Sequence, residues 1–433
     1  MDTPAFAPFA TFRRGELPRW VQVRQRFEAG EIGDVAAAVA AQFVRPEIAQ
    51  TIPPGTRVAL TAGSRGIDRI AETIRAAAAA VRRLGGEPFV VPAMGSHAGA
   101  TAEGQLALLA HYGVTEDGVG CPIRASMETV RLGEVADGVP VWFDRTAYEG
   151  ADAVIPIGRV KPHTDFRGPI ESGLMKMLAI GLGKQTGADA FHGRGFAEFH
   201  RLIPAVARFT LSRVNIPFGI ALIENGYGRL RTIEAIPAAR IDGREQELLV
   251  QAREWMARLP GERIDVLVVD EIGKDVSGCG MDPNVVGRDL TGLLYGPETP
   301  PLPRVQRIVV RDLTPDTEGN ATGIGLADVT LARAVAKIDP VSTWMNCITA
   351  KNPAAANVPM AFANDRDALA IALACCLQTD PETARIARIK NTKHIEDLWV
   401  SEPLLPELLA TGRVDQIGDL APIGFDGNGM LIG

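Results

Sequence analysis

This sequence predicts an α/β protein of two domains, each with a mostly parallel sheet flanked by helices, and with the active-site cleft between them. The chain has 433 residues, more than one hydrophobic core usually serves. Short apolar runs alternate along it with stretches of helical periodicity, which is the pattern of βαβ units and of a parallel sheet. Glycine-rich turns follow several of these runs, at the sheet edge where such folds bind ligands.

The composition excludes several classes of protein. Residues 1–20 contain Pro, Arg and Glu where a secretory signal needs an unbroken apolar stretch, and no apolar run approaches the roughly 20 residues that span a bilayer. A net charge of −7 without a sustained Lys/Arg stripe argues against nucleic acid as a partner. The five cysteines lack CxxC spacing, so they predict neither a disulfide framework nor a structural zinc site. We therefore expect a cytoplasmic protein with no membrane or nucleic-acid partner.

The first domain is predicted over residues 1–262 and opens with a βαβ pattern. An apolar run at 57–62 leads into the turn Gly63-Ser64-Arg65-Gly66, and helical periodicity at 70–84 precedes a second apolar run at 88–92. The same alternation continues through the domain. It predicts strands at 153–157 and 218–223 and helices at 102–112, 196–211 and 246–259.

The second domain is predicted over residues 263–403, because Pro260 and Gly261 mark a boundary before a new apolar run. The tail, residues 404–433, combines a helix with turns and is expected to return to the first domain. Within the second domain the pattern predicts strands at 264–269 and 307–310 and helices at 327–337 and 368–377.

Lys176 is the one cation in the apolar run 173–181. Burial disfavours the charged ammonium and lowers its pKa, which would make this lysine a nucleophile or an attachment point for a cofactor. The alternative is a lysine that extends its charged end to solvent from an amphipathic helix.

Three histidines lie in positions suited to chemistry. His97 and His163 follow predicted strands in glycine- or proline-bounded turns, where an imidazole can act as a base near neutral pH. A single loop histidine is more often structural, but two at the ligand edge of one sheet favour function. The neutral ring of His192 could bind a soft transition metal. The remaining three histidines are assigned structural roles.

Four separated motifs resemble, in order and approximate spacing, those of the nickel-pincer-nucleotide-dependent lactate racemase family. A segment of the second domain, from Lys274 to Asn284 and followed by Arg288, looks like that family's glycine-containing cofactor segment. The resemblance covers roughly residues 58–370. Its four motifs are Gly95-Ser-His97, Gly158-Arg-Val-Lys-Pro-His163, Ser172-Gly-Leu-Met-Lys176 and Phe191-His192.

The resemblance implies a cofactor and a reaction. By it, Lys176 forms a thioamide with a pyridinium-derived nucleotide, and His192 completes the coordination of its nickel ion. The cofactor takes a hydride from the α-carbon of a 2-hydroxy acid, while His97 and His163 act as acid and base on the hydroxyl. Return of the hydride to the opposite face racemises or epimerises the substrate. Cofactor-synthesis enzymes are then required partners, and recombinant protein made without them is expected to lack the cofactor.

The chain also departs from that family. Ala62 stands where the family has an aspartate, so Ser64 and Arg65 are expected cofactor contacts in a rearranged turn, together with Lys274 and Arg288. The longer segment 164–171 adds Arg167 and Glu171 near the chemistry. We therefore expect a sugar acid or hydroxy diacid as substrate rather than lactate. Its carboxylate would be held by Arg65 or Arg167 in two parallel hydrogen bonds.

Two alternatives stay open at this point. In a nicotinamide-dependent oxidoreductase, His97 or His163 would be the acid/base and Lys176 would be structural, although no full GxGxxG follows a predicted strand. A non-catalytic binding homologue would be consistent with Ala62. A homo-oligomer is compatible with the sequence, which does not fix the oligomeric state.

Overall fold

The computed structural model describes residues 7–13, 15–64, 66–296 and 303–433. The strands are β1 (Arg19–Gln25), β2 (Arg57–Ala62), β3 (Glu87–Pro92), β4 (Thr129–Val135), β5 (Val139–Asp144), β6 (Ala153–Ile155), β7 (Ile157–Arg159), β8 (Phe218–Glu224), β9 (Leu230–Pro237), β10 (Arg263–Val269), β11 (Arg304–Val310), β12 (Val329–Leu331), β13 (Met360–Phe362), β14 (Ile386–Asn391), β15 (His394–Ser401), β16 (Val414–Gln416) and β17 (Ala421–Pro422).

The α-helices are α1 (Val35–Phe43), α2 (Pro46–Ala49), α3 (Ile70–Arg83), α4 (Ala102–His111), α5 (Glu116–Val119), α6 (Arg145–Gly150), α7 (Leu174–Lys176), α8 (Lys184–His192), α9 (Phe199–Arg213), α10 (Ile241–Trp255), α11 (Pro283–Val286), α12 (Ala332–Ala336), α13 (Pro340–Thr349), α14 (Asp365–Ala374) and α15 (Leu405–Ala410). A π-helical turn, Met177–Gly181, follows α7. None of the helices described is long and apolar enough to cross a membrane.

The chain divides into two compact units. One is Glu28–Met256, and the other combines the described residues up to Phe27 with Ala257–Gly433. The start of the chain differs from the predicted domains because β1 pairs antiparallel with β15, where Trp20 lies opposite Ser401. The tail also pairs with β1, through β16 and β17, so it completes the unit that contains residues 263–403. Backbone pairing, which no local pattern specifies, sets these boundaries.

The unit Glu28–Met256 contains a parallel sheet in the order β3-β2-β6. A second sheet, β7-β8-β9, joins β7 and β8 in parallel and β8 and β9 antiparallel. Five of the six residues in β2 and in β3 are buried, as expected for strands covered on both faces. Helix α3 packs Ile74, Ala77 and Val81 into the same core as Val58 and Leu60 of β2.

The other unit is built on a mixed sheet in the order β13-β12-β11-β10-β14-β15-β1-β16, with β17 beside β1. Pairing is parallel from β13 to β14 and antiparallel beyond. The α/β fold class with mostly parallel sheets flanked by helices is confirmed. One predicted helix, 327–337, is wrong at its start, because residues 329–331 form β12 between β11 and β13. The cleft between two domains stays a prediction.

Candidate active site

The turns predicted to carry chemistry follow strands of two sheets in the unit Glu28–Met256. Ser64 comes after β2, His97 after β3 and His163 after β7. The backbone N–H of Ile157 donates to Oγ1 of Thr61 at 2.9 Å, which joins the start of β7 to the end of β2. Because β2 and β3 are parallel, the turns of Ser64 and His97 lie at the same edge of their sheet. The hydrogen bond between Ile157 and Thr61 places the start of β7, the strand that leads to His163, at this edge.

The segment that carries Lys176 is fixed against the turn of His97. The N–H of Gly95 donates to the carbonyl of Gly181 at 3.0 Å, at the end of the π-helical turn. A Cβ added to Gly181 would lie 2.6 Å from the carbonyl oxygen of Ala93, so a glycine is needed for this approach. Lys176 itself is half-buried at the end of α7. π-Turns inside helices often mark functional sites, and this one begins directly after the lysine.

His163 and His192 border one cluster of phenylalanine rings. The ring of His192, at the end of α8, lies 5.6 Å from that of Phe196 and 5.4 Å from that of Phe199. The ring of His163 lies 6.1 Å from Phe196 and 4.5 Å from Phe166, and Phe166 is 5.6 Å from Phe199. Two histidines 29 positions apart in the sequence therefore contact the same cluster of phenylalanine rings.

Asp165 contacts the Nδ1 atom of His163 with both its amide and its carboxylate. The N–H of Asp165 donates to Nδ1 at 3.1 Å, and Oδ2 of Asp165 lies 3.6 Å from the same atom. With Nδ1 accepting a hydrogen bond, the neutral ring carries its proton on Nε2. When the ring is protonated, the negative charge of this carboxylate lies beside Nδ1 and stabilises the imidazolium.

Glu171 is a fully buried carboxylate that holds the loop of His163. It accepts hydrogen bonds from the N–H of His163 at 2.7 Å and of Gly168 at 3.0 Å. Its charge is paired with Arg253 of α10, whose Nη2 lies 2.6 Å from Oε1. Arg167 also supports this loop, since its Nη1 donates to the carbonyl of His163 at 2.9 Å. The substrate-binding role of Arg167 stays a prediction.

Glu245, also on α10, holds the start of the Lys176 turn. The N–H of Met175 donates to its Oε2 at 3.1 Å, and the backbone of Leu174 also hydrogen-bonds to the carboxyl group. Gly173 has φ +154°, and a Cβ there would lie 2.7 Å from the carboxyl carbon of Glu245. Burial raises the pKa of Glu245 to about 8, although the backbone hydrogen bonds act in the opposite direction.

Lys184 anchors the other end of α8, opposite His192. Its Nζ lies 2.6 Å from Oδ2 of Asp144, and both side chains are fully buried. The same Nζ donates to the carbonyl of Pro92 at the end of β3. Lys184 adopts φ +52°. This conformation costs a non-glycine residue roughly 1 kcal/mol or more, so it occurs only where contacts with the surrounding structure compensate for the cost. The pair thus fixes α8 to the strand that precedes His97.

The remaining predicted residues are placed as follows. His97 is exposed, and Ser64 is half-buried, with its carbonyl accepting from the hydroxyl of Tyr112 at 3.4 Å. Arg65 lies outside the described residues. Lys274 and Arg288 belong to the other unit. There Lys274 Nζ donates to the carbonyl of Gly278 at 2.8 Å. Arg288 pairs with Asp328 at 2.7 Å. Their cofactor-binding roles stay predictions.

No group of three or more His, Cys, Asp and Glu side chains that could bind a metal occurs in the described part of the chain. A nickel ion at His192 would therefore need its other ligands from a bound organic group. An imidazole suits nickel, and a half-buried primary amine suits covalent attachment. The residues present are chemically suited to a cofactor that brings most of its own metal ligands.

Sequence reasoning gave no site role to Asp165, Glu171, Glu245 or Lys184. Asp165 had a detectable signal, because a carboxylate two residues after a turn histidine can reach the ring. Glu171 was noted only for its closeness to the chemistry. Glu245 had no signal, since a glutamate in a helix rich in charged residues indicates a solvent-exposed position.

No protein-family model matches this chain, and no curated protein sequence matches it. Among solved structures, it is similar to a protein from Thermotoga maritima determined by structural genomics, with 12% identity and a TM-score of 0.46, over 64% of this chain and 69% of that one. It is also similar to the lactate racemase apoprotein from Thermoanaerobacterium thermosaccharolyticum, with 12% identity and a TM-score of 0.44, over 72% of this chain and 71% of that one. At these values neither similarity identifies the family of this chain.

Proposed function

We propose that this protein is a racemase or epimerase that inverts the α-carbon of a 2-hydroxy acid. The observation that carries the proposal is the shared aromatic cluster of His163 and His192. The hydrogen bond from Gly95 to Gly181 supports it, because it joins the turn of His97 to the segment of Lys176. These residues are distant in sequence and belong to one compact unit.

The cofactor that fits this donor set is a nickel-pincer nucleotide. Lys176 would hold the nucleotide covalently, and His192 would be the protein ligand of its nickel ion. When bound, the nucleotide supplies a reversible acceptor for the hydride of the substrate α-carbon.

His163 would move the proton of the substrate hydroxyl. An α-C–H bond beside a carboxylate is a poor acid, so loss of the hydroxyl proton as the α-hydrogen leaves with its electron pair gives a ketone and avoids a carbanion. To accept that proton at Nε2, the ring must change to the tautomer that carries its own proton on Nδ1, and this N–H would face the carboxylate of Asp165. The same carboxylate then stabilises the imidazolium.

His97 would serve the opposite face of the planar ketone, since inversion needs an acid/base group on each side. The phenylalanine rings beside His163 would keep water from this side of the substrate. Arg167 would bind the carboxylate of the substrate. A sugar acid or hydroxy diacid is the proposed substrate class.

The covalent attachment is tested by making the protein together with the cofactor-synthesis enzymes and measuring intact and peptide masses. We expect an added mass on the peptide of Lys176 and inversion of a 2-hydroxy acid. Lys176→Ala should lack both. The matched control, Lys390→Ala, removes a side chain that is 64% exposed and should keep both. An inverting Lys176→Ala protein, or unmodified protein from cells that make the cofactor, would refute the assignment.

A further inference from the structure

A cavity lies at the opposite edge of the strands that lead to the candidate active site. It has a volume of about 430 Å³ and is lined by Arg57, Arg82, Glu87, Phe89, Pro122 and Arg124, among others. Arg57 and Glu87 are the first residues of β2 and β3, whereas Ser64 and His97 follow the last residues of these strands. A six-residue strand spans roughly 20 Å, so the two places are separate.

The cavity concentrates positive charge in a chain whose net charge is −7. Arg57 is paired with Asp152 at 2.8 Å. Arg82 donates to the carbonyl of Gly120, and no described carboxylate pairs with Arg82 or Arg124. Glu87 is the one acidic residue of the lining, set against three arginines. Three arginines against Glu87 and Asp152 leave an excess of one positive charge at this cavity.

The guanidinium groups are held in place by the protein. Arg124 lies over the ring of Phe89, with Cζ 4.2 Å from the ring centroid, and Phe89 is buried. Backbone hydrogen bonds of 2.8 Å run from Val90 to Pro122 and from Arg124 to Val90, so the segment that carries Arg124 is fixed to the edge of β3. A guanidinium stacked on a ring keeps its N–H groups directed sideways. Groups held in this way bind an anion with little further loss of conformational freedom.

We propose that this cavity binds a small molecule that carries a phosphate group. Planar guanidinium groups match the oxygens of a phosphate, and the positive charge of the lining favours an anion. The volume lies within the range of about 300–1,000 Å³ that ligand sites occupy, so it accommodates an organic portion beyond the phosphate. Pro88 and Pro122 provide apolar contact for that portion. The proposal does not depend on the proposed reaction.

Calorimetric titration with AMP, pyrophosphate and inorganic phosphate tests this site in the full chain. Arg82→Ala and Arg124→Ala each remove one lining guanidinium, and Arg83→Ala is the matched control, because it removes the same group from the adjacent position of α3 outside the lining. We expect AMP to bind to the wild type and to Arg83→Ala, and about tenfold or more weakly to each of the other two, since a charged hydrogen bond is lost.

Three results would overturn the proposal: no binding of AMP, pyrophosphate or inorganic phosphate at millimolar concentration, equal weakening by Arg83→Ala, or tighter binding of citrate than of AMP. Arg124→Lys keeps the charge without the planar group and should bind AMP more weakly than the wild type does. Equal thermal unfolding temperatures for the wild type and Arg124→Lys would show that the weaker binding of AMP is a local effect. Equal affinity of the two proteins for AMP would contradict the role given to the guanidinium.

Discussion

Asp165 presents two groups of opposite hydrogen-bonding character to one nitrogen of His163. Its amide N–H favours an unprotonated Nδ1, and its carboxylate favours a protonated one. The hydroxyl of Thr164 donates to the same carboxylate at 2.6 Å. Asp165 is thus a positioning residue in the proposed mechanism, because it acts on the substrate only through the ring of His163.

Replacing Asp165 by Asn keeps the amide contact and removes the negative charge. We expect kcat of the cofactor-loaded protein to fall by roughly ten- to a hundredfold, as is typical when a metal-bound histidine loses its carboxylate partner, with KM little changed. Steady-state kinetics measure both constants. Thr164→Val removes the hydroxyl contact and leaves the charge, so its effect should be smaller. An equal loss in the two variants would contradict the role of the charge.

Glu245 should make stability depend on pH. Its pKa is about 8 in the folded protein and near 4.5 when exposed, so between these values the folded state keeps a proton that the unfolded state has lost. The free energy of unfolding therefore decreases as the pH rises from about 4.5 to about 8, by several kcal/mol at about 1.4 kcal/mol per pH unit.

Urea unfolding across this pH range tests the prediction with two variants. Glu245→Gln cannot ionise, so its free energy of unfolding should not show this decrease. The difference in stability between this variant and the wild type should therefore shift in favour of the variant between pH 5 and pH 8. Glu247→Gln removes the same charge from an exposed position of the same helix and should keep the wild-type pH dependence. Parallel curves for the wild type and Glu245→Gln would contradict the buried, protonated state.

At the scale of elements, α10 supports both ends of the segment that carries His163 and Lys176. Arg253, near the end of α10, pairs with Glu171, and Glu245, nearer its beginning, receives the amide of Met175. One rigid helix thus fixes the histidine loop and the lysine turn relative to each other. Catalytic groups on irregular segments need such support to keep a productive geometry.

Arg253→Met should remove the nearer charge partner of the buried carboxylate of Glu171 and leave the more distant Arg167, whose Nη1 lies 3.6 Å from Oε2. Breaking a buried ion pair costs about 3–5 kcal/mol, and because Arg253 is partly exposed we expect about 2–3 kcal/mol. Glu171→Gln in the same protein should recover much of this loss, since no uncompensated charge remains. Urea unfolding of the wild type, the two single variants and the double variant gives the coupling energy. Additive losses would contradict the pairing.

At the scale of the whole molecule, β1 belongs to a unit whose other strands begin more than 230 residues later in the sequence. It lies between β15 and β16, and Trp20 packs on Trp399 with ring centroids 5.0 Å apart. Without β1 both neighbouring strands would expose unpaired backbone groups. The unit Glu28–Met256, in contrast, is formed by one continuous piece of chain.

We therefore expect residues 28–256 to unfold cooperatively as an isolated fragment, and residues 257–433 to be poorly folded alone. A synthetic peptide of residues 15–27 should restore protection from hydrogen exchange in β15 and β16. The same peptide with Trp20 and Val23, both buried, replaced by Ser is the control. Equal stability of fragment 257–433 with and without the peptide would contradict the structural role of β1.

Local patterns were enough to place the elements near the candidate site. The apolar run at 57–62 is β2, and that at 88–92 is β3 apart from its first residue, because a strand buried on both faces must be apolar along its length. Helical periodicity at 70–84 corresponds to α3, whose apolar face covers that sheet. The positions of His97 and His163 at strand ends follow from the same signals, since a turn begins where the apolar run stops.

Contacts between distant segments could not be obtained in this way. The pairing of β1 with β15, the partner of Glu171 on α10 and the burial of Glu245 join residues 70 or more positions apart. A periodic pattern shows which face of an element is apolar, but the identity of the surface that covers it depends on how the whole chain packs. Whether a carboxylate is solvated, paired or kept protonated depends on that packing, because its free energy is set by neighbours that the adjacent sequence does not contain.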